Sequence, residues 1–395
     1  MGVIYLDNNA TTKLAPEVLE EMLPYLTDYY GNPSSMHKFG AVSGAAVKTA
    51  RERLSAFFNC RESEVIFTSC GTESDNYAIR GILEASPEKR HIISTRVEHP
   101  AVLNVLGRMG KFGYQVTLLN VNKEGCLDLA ELEGALTDET ALVSVMFANN
   151  ETGVIFPIEK IAEIVKSRGA ILHVDAVQAA GKIPLDMSKI PVDLLSISGH
   201  KIHAPKGVGA LFIRRGTRIQ PFMIGGHQER GRRGGTENVP SIAALGKACE
   251  LAGTNMDEEN KKVQELRDTL EQGILSSISG SLLNGHKDYR LPNTSNVSFE
   301  YVEGEAILLL MDEFGVCASS GSACTSGSLE PSHVLRAMGV PFTSSHGSVR
   351  FSLSRYTTKK EIDVVLKELP PIIERLREIS PYWHDQAVET KKSAG

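Results

Sequence analysis

From Glu64 to Arg214 short apolar runs alternate with amphipathic ones. EVIFT, HIISTR, TALVSVMFA, ILHVDAV, DLLSIS and GALFIRR read as strands, and the pattern predicts a mainly parallel sheet covered by helices. In IEKIAEIVKSRG the apolar positions Ile158, Ile161, Ala162 and Val165 fall at helical spacing, and Gly169 stops the run as it should stop a covering helix. An α/β fold follows, with the strand order left open.

Beyond Arg215 the alternation breaks. IGGHQERGRRGGTEN, residues 224–238, is too rich in Gly and Arg to sustain a helix or strand and reads as a loop. VPSIAALGKACELAG follows as a helix, and the charged run beginning MDEENKKVQELRDTLEQGI reads as a long connecting helix into a second domain. The expected division is a large domain over residues 15–253, with 1–14 and 254–395 forming a small one.

Composition fits this plan. A chain of 395 residues, 42% hydrophobic and 23% charged, can bury a sizeable core. A formal net charge of -6 gives no footprint for nucleic acid or an anionic membrane surface, so small-molecule or protein partners are expected. MGVIYLDNNATT lacks a signal-peptide pattern and no apolar run is long enough to span a bilayer, which makes the expected location cytoplasmic. Six cysteines (Cys60, Cys70, Cys126, Cys249, Cys317 and Cys324) form no C-x-x-C pair, against both a disulfide framework and an ordinary zinc site.

Four segments carry candidate chemistry. VDAVQAAGKIPLD ends a strand on Asp175 with Gln178 three residues later, at the sheet edge where open α/β proteins bind ligands. A carboxylate there suits a protonated ring nitrogen, and it equally suits a helix cap. LLSISGHKIHAPKG runs a strand into Ser198, Gly199, His200 and Lys201; a lysine so placed suits Schiff-base chemistry, although most lysines are merely solvated. Its rival, Lys206, lies beyond the turn. TSCGTESDNYAIRG opens a helix at Gly71, Thr72 and Glu73, where N–H groups and the helix dipole suit a phosphate; a plain cap would explain Thr72 but not the glycine beside it. VEHPAVLN sets His99 between a strand and a helix, a position where a lone histidine is more often structural. A phosphate seat, an acid for a ring nitrogen, a lysine for an aldehyde and a ring to cover the cofactor together describe a pyridoxal phosphate site. Cys324, in SSGSACTSGSLEP, is a thiol among serines and glycines, neither shielded nor obviously bonded.

Through YLDNNATT, FANNETG, VDAVQAAGKIPLD, SGHKIHAPKG, RRGGTEN, SSGSACTSGSLEPSHVLRAMG and VRFSLSRYTTKKEID the chain resembles the cysteine desulfurases, pyridoxal phosphate enzymes of the class V aminotransferase family. EISPYW near the end looks more like the nitrogen-fixation type than the housekeeping type. The resemblance implies a transferase of fold type I, with a mainly parallel seven-stranded sheet in the large domain and a smaller α+β domain carrying the cysteine loop. It implies that Lys201 bonds the cofactor aldehyde, Asp175 pairs with the ring nitrogen, Gln178 bonds the ring hydroxyl, and His99 stacks on the ring and moves protons. Gly71, Thr72, Ser198 and His200 match phosphate-binding positions. Thr236 matches a residue that reaches the phosphate of the other subunit, which implies a homodimer. Asn150 and Arg350 match groups that hold the substrate, and Asn150 also adjoins the cofactor.

Cys324 matches the catalytic nucleophile. Its thiolate would take sulfur from L-cysteine as a persulfide, leave L-alanine, and pass the sulfur to an iron-sulfur scaffold protein, with nitrogenase maturation the expected destination. Gly321 and Gly327 bracket this cysteine and could let its loop serve both cofactor and acceptor. In some relatives the same cysteine transiently ligates a cluster. The alternatives are a housekeeping desulfurase, a selenocysteine lyase, an aminotransferase, for which a thiol on a loop has no use, and an iron-sulfur scaffold, for which the cysteine spacing is too open.

Overall fold

A computed structural model describes residues 2–320, 331–381 and 383. The chain starts on β1 (Ile4–Tyr5) and then forms helices α1 (Pro16–Thr27) and α2 (Lys38–Phe58). Next come β2 (Val65–Thr68), α3 (Gly71–Ala85), β3 (His91–Thr95), α4 (Pro100–Lys111), β4 (Gln115–Leu119), α5 (Leu129–Ala135), β5 (Thr140–Met146) and α6 (Ile158–Ser167). The sheet closes with β6 (Ile171–Asp175), β7 (Leu194–Ser198) and β8 (Gly209–Ile213).

These strands form one seven-stranded sheet in the order β2-β8-β7-β6-β5-β3-β4. Only β8 runs against the rest, pairing antiparallel with both β2 and β7. Alternate residues enter opposite cores: Val65 and Phe67 pack with Val143, Val174, Leu195 and Phe212, whereas Ile66 packs with Ile92, Leu142, Leu194 and Leu211 against α3 and α4. A sheet covered on both faces needs apolar residues at both parities, which is why these strands read as mostly apolar runs.

The Gly- and Arg-rich loop leads into α7 (Val239–Ser277), an uninterrupted helix of 39 residues. The two helical stretches expected on either side of Thr254 are therefore one rod. At its start Ile242, Leu245 and Ala248 join the large core, and further on Val263, Leu270 and Ile274 join a second one. That second core lies on an antiparallel sheet of β9 (Ser281–Leu283), β10 (Thr294–Phe299), β12 (Ser319–Ser320) and β13 (Ser348–Ser352), in the order β12-β13-β10-β9. α8 (Gly304–Asp312) and α11 (Lys359–Glu378) cover it, while β1 pairs with β11 (Val316–Cys317). Of the short helices α9 (His333–Ala337) and α10 (Phe342–Ser345), α9 departs from the expected division: Val334 and Leu335 pack into the large core.

Among the described residues, no helix is long and apolar enough to cross a membrane.

Candidate active site

Six of the seven strands end on the same sheet edge, and the loops leaving five of them build one cleft. Its volume is about 410 Å³, and its lining includes Gly71 and Thr72 after β2, His99 after β3, Asn150 after β5, Asp175 and Gln178 at β6, and Ser198, His200 and Lys201 at β7. Arg350, from the middle of β13, lines it from the other core. The structure thus brings together Lys201, Asp175, Gln178, His99, Gly71, Thr72, Asn150, Ser198, His200 and Arg350, which lie up to some 280 positions apart in sequence.

Lys201 ends a single 3-10 turn, Gly199–Lys201. Its Nζ donates to the Asn9 carbonyl and, at 2.8 Å, to the Ala10 carbonyl. Burial, with Arg350 and Lys182 close by, lowers its pKa to about 7, against the pull of the Asp175 and Asp7 carboxylates. A substantial neutral fraction at physiological pH is what a carbonyl-bonding lysine requires. Asp175 accepts from Val177 N–H at 2.9 Å, so it caps the local turn as well as facing the cleft. Burial raises its pKa to about 6, a carboxylate that gains from a nearby cationic partner.

Several buried atoms here point to a bound group. Gln178 donates through Nε2 to Asn9 O at 2.9 Å, yet its Oε1 and the Ser198 hydroxyl oxygen are buried without a partner among the described residues. A Cβ on Gly71 would sit 2.8 Å from Val177 Cγ2 and 3.4 Å from Ser198 Cβ, so only glycine leaves the helix start open beside Ser198. Cys70 rather than Thr72 caps that helix, accepting from Glu73 N–H at 3.4 Å, which frees the Thr72 hydroxyl for other work. A ring bearing a hydroxyl, a basic nitrogen, an aldehyde and a phosphate fits this donor set.

His99 is the cap of α4, where its Nδ1 accepts from Ala101 N–H at 3.1 Å. That bond puts the hydrogen of the neutral ring on Nε2. Enclosure by the protein, with Lys201 and His333 nearby, lowers its pKa to about 4. Arg350 has two nitrogens engaged: Nη1 donates to Asn150 O at 2.9 Å and Nη2 to Asp7 at 2.8 Å, while Nε is buried and unpartnered among the described residues.

Sequence reasoning passed over Asp7, Asn9 and Ala10, although all three lie in the quoted YLDNNATT segment. It also missed Asp75 and Glu98. Asp75 is fully buried 3.6 Å from His173 Nε2 and lines the cleft floor, and burial together with Asp175 pushes its carboxyl well above the usual range. Glu98 accepts from Thr95 Oγ1 at 2.7 Å and Met146 N–H at 3.0 Å. Neither announces itself in sequence, because an acid in the first turns of a helix, like Asp75, or in the loop after a strand, like Glu98, usually faces water.

Two calls fall elsewhere. Thr236 is exposed on the Gly- and Arg-rich loop and does not line the cleft of its own chain. Cys324, with Gly321 and Gly327, lies outside the described residues. The described residues on either side do adjoin the site: Ser319 pairs with Arg350 across the sheet, and His333 Nε2 donates at 2.9 Å to the carbonyl of Glu98, the neighbour of His99.

Fold and cleft together define a class-V aminotransferase, and the chain matches that family over residues 4–365. Within that class it belongs to the cysteine desulfurases, of the nitrogen-fixation type. It is 64% identical over 387 residues to a cysteine desulfurase of Trichormus azollae, covering 98% of this chain and 97% of that protein. To the cysteine desulfurase NifS of Azotobacter vinelandii it is 55% identical over 384 residues, covering 97% and 96%. A solved NifS-like protein superimposes with a TM-score of 0.90 at 40% identity, over 95% of this chain and all of the other.

Proposed function

We propose that the protein is a homodimeric, cytoplasmic, pyridoxal phosphate-dependent cysteine desulfurase. It converts L-cysteine to L-alanine, holds the sulfur as a persulfide on Cys324, and delivers it to an iron-sulfur scaffold protein for nitrogenase maturation. Residues 15–253 would form the cofactor-binding domain, with 1–14 and 254–395 as the smaller one. The observation that carries this reading is the cleft itself, where a lysine with a pKa of about 7 shares one surface with Asp175, Gln178, Ser198, Gly71 and His99.

Pyridoxal phosphate, when bound, supplies an aldehyde for the substrate amine and a protonated ring that draws electrons from the substrate Cα. Asp175 would hold the ring-nitrogen proton, Gln178 Oε1 would accept from the ring hydroxyl, and Gly71, Thr72, Ser198 and His200 would seat the phosphate, with Thr236 reaching in from the second subunit. Arg350 and Asn150 would grip the substrate carboxylate, which fixes Cα over the ring. Lys201, once released by the incoming amine, would take the Cα proton on Nζ. His99, neutral with its hydrogen on Nε2, can donate that hydrogen and recover it.

Cys324 would attack the substrate sulfur as a thiolate. The sulfur–sulfur bond forms as the substrate's carbon–sulfur bond breaks, and the proton lost by the thiol is returned to the carbon that becomes the alanine methyl. A free thiol has a pKa of about 8.5, so the nucleophile needs a proton acceptor nearby. In some relatives this cysteine also ligates a cluster briefly, and the same side role is proposed here.

The test uses purified wild type and Cys324→Ala. Visible absorption reads the lysine-bound cofactor, and sulfide and alanine release from L-cysteine reads the reaction. Both proteins should carry the chromophore and only wild type should release sulfide. Full sulfide release by the variant would remove Cys324 from the mechanism.

A further inference from the structure

Lys201, Gln178 and Asn150 meet at one residue that the reaction scheme above does not use. Asn9 is 1% exposed. Its carbonyl accepts from both Lys201 Nζ and Gln178 Nε2, the latter at 2.9 Å, and Ala10 O accepts from Lys201 at 2.8 Å. Its side chain is fully engaged: Nδ2 donates to Thr294 Oγ1 at 2.9 Å and to Asn150 O at 3.1 Å, and Oδ1 accepts from Asn293 Nδ2 at 3.0 Å. Its own N–H donates to Ser352 Oγ at 2.9 Å. Asn293, Thr294 and Ser352 belong to the smaller sheet and its approach, so these bonds pin a carbonyl of the cleft to the other core.

We propose that Asn9 is a positioning residue: its carbonyl and that of Ala10 form the station at which Lys201 Nζ rests whenever it is not bonded to the cofactor, and its side chain holds that station in place. The proposal rests on the cofactor reading above. A free lysine carries a flexible four-carbon stem, and two fixed acceptors keep its nitrogen from wandering while the substrate occupies its place. Carbonyls accept and never donate, so the station also favours the ammonium form, against the Arg350 and Lys182 cations and with the Asp175 and Asp7 carboxylates; the neighbouring His99 and His200 rings, both with pKa values lowered to about 4, are neutral. Because Gln178 shares the same oxygen, the lysine's rest position and the group placed against the ring hydroxyl are set together.

The test follows covalent capture of added pyridoxal phosphate by the full-length protein stripped of cofactor, as growth of the visible band at saturating cofactor, across pH. Asn9→Ala should slow capture between about tenfold and a hundredfold, the scale on which misplacement by about 1 Å acts. Its pH midpoint should fall, since losing ordered acceptors disfavours the ammonium. Thr294→Val is isosteric, removes one anchor and leaves the cleft lining intact, and should slow capture by about two- to fivefold in a folded protein even if Asn9→Ala does not fold. Wild-type rates in both variants would overturn the proposal, and so would slower capture by Asn9→Ala with an unchanged pH midpoint, which would leave Asn9 purely structural. If Lys201→Ala develops the same band, the cofactor reading fails and the station fails with it.

Discussion

Arg350 and Asp7 are paired at 2.8 Å, so the arginine offered to a substrate carboxylate already faces a carboxylate of the protein. Nη1 is engaged by Asn150 O, which leaves Nε and the second hydrogens of the terminal nitrogens for the substrate. Asp7 therefore orients the guanidinium and would also oppose the substrate charge that Arg350 is proposed to bind. Asp7→Asn keeps an acceptor and removes the charge, and should lower KM for L-cysteine about two- to fivefold, the range of a partly exposed charge pair. Arg350→Lys loses the planar fork and should raise KM by about ten- to a hundredfold with the chromophore retained. Steady-state kinetics on both proteins checks the pair, and an unchanged KM in Arg350→Lys would take that residue out of substrate binding.

Gly71 presents a sharper steric test. An added Cβ would lie 2.8 Å from a Val177 methyl and 3.4 Å from Ser198 Cβ, at the helix start proposed to seat the phosphate. Overpacking of this kind costs about 1–3 kcal/mol, and the shift it forces acts on Val177 and Ser198, beside the proposed phosphate seat. Gly71→Ala should weaken cofactor binding by about five- to a hundredfold, read by equilibrium titration of the stripped protein. Wild-type affinity would show that the phosphate sits elsewhere.

The large sheet was legible because strands buried on both faces carry apolar residues at both parities, as Ile66 and Phe67 show by entering different cores. β4 was not, since at the sheet edge only Leu119 of its five residues is fully buried. The cleft could be anticipated where chemistry sits at strand ends, as with Asp175 and Lys201. Asn9 and Asp7 could not: their importance comes from contacts with Ser352, Thr294 and Arg350, hundreds of positions away, and an asparagine in a polar loop carries no local mark of such burial. That the helical stretches on either side of Thr254 form one helix was not legible for a related reason. A charged run signals exposure, and α7 becomes exposed as it leaves one core for the other without ceasing to be a helix.

Glu98 should leave a mark on stability against pH. Burial raises its pKa from 4.5 to about 8, with Asp175 adding to the shift and the Thr95 and Met146 donors opposing it. Between those two values the folded protein holds a proton that the unfolded chain has lost. The contribution is complete below about pH 4.5 and fades as pH rises through about 8. Glu98→Gln cannot ionise and keeps an oxygen for Thr95 and Met146. Its unfolding midpoint should match wild type near pH 5 and exceed it at higher pH, by roughly 2–4 °C for each kcal/mol recovered. Parallel profiles for the two proteins would show that Glu98 is ionised in the fold.

The loop bearing Thr236 is held by an ion pair whose loss should be costly. Glu229 and Arg230 take left-handed backbone angles, φ 46° and 60°, which non-glycine residues adopt only when their surroundings impose them. The imposing contact is buried: Arg51 donates to both Glu229 oxygens, at 2.9 and 2.6 Å, and Phe67 N–H donates to one of them at 3.1 Å. A second fork, Arg233 on Glu73 at 2.8 and 3.0 Å, fastens the same loop to the first turn of α3, beside Gly71. Glu229→Ala strands the Arg51 charge in the interior and should destabilise the protein by about 3–5 kcal/mol. Removing both partners together should cost less than that single change, because no charge is then left unpaired. Denaturant unfolding of the two single variants and the double variant measures the difference, and additive losses would mean that Arg51 and Glu229 act independently.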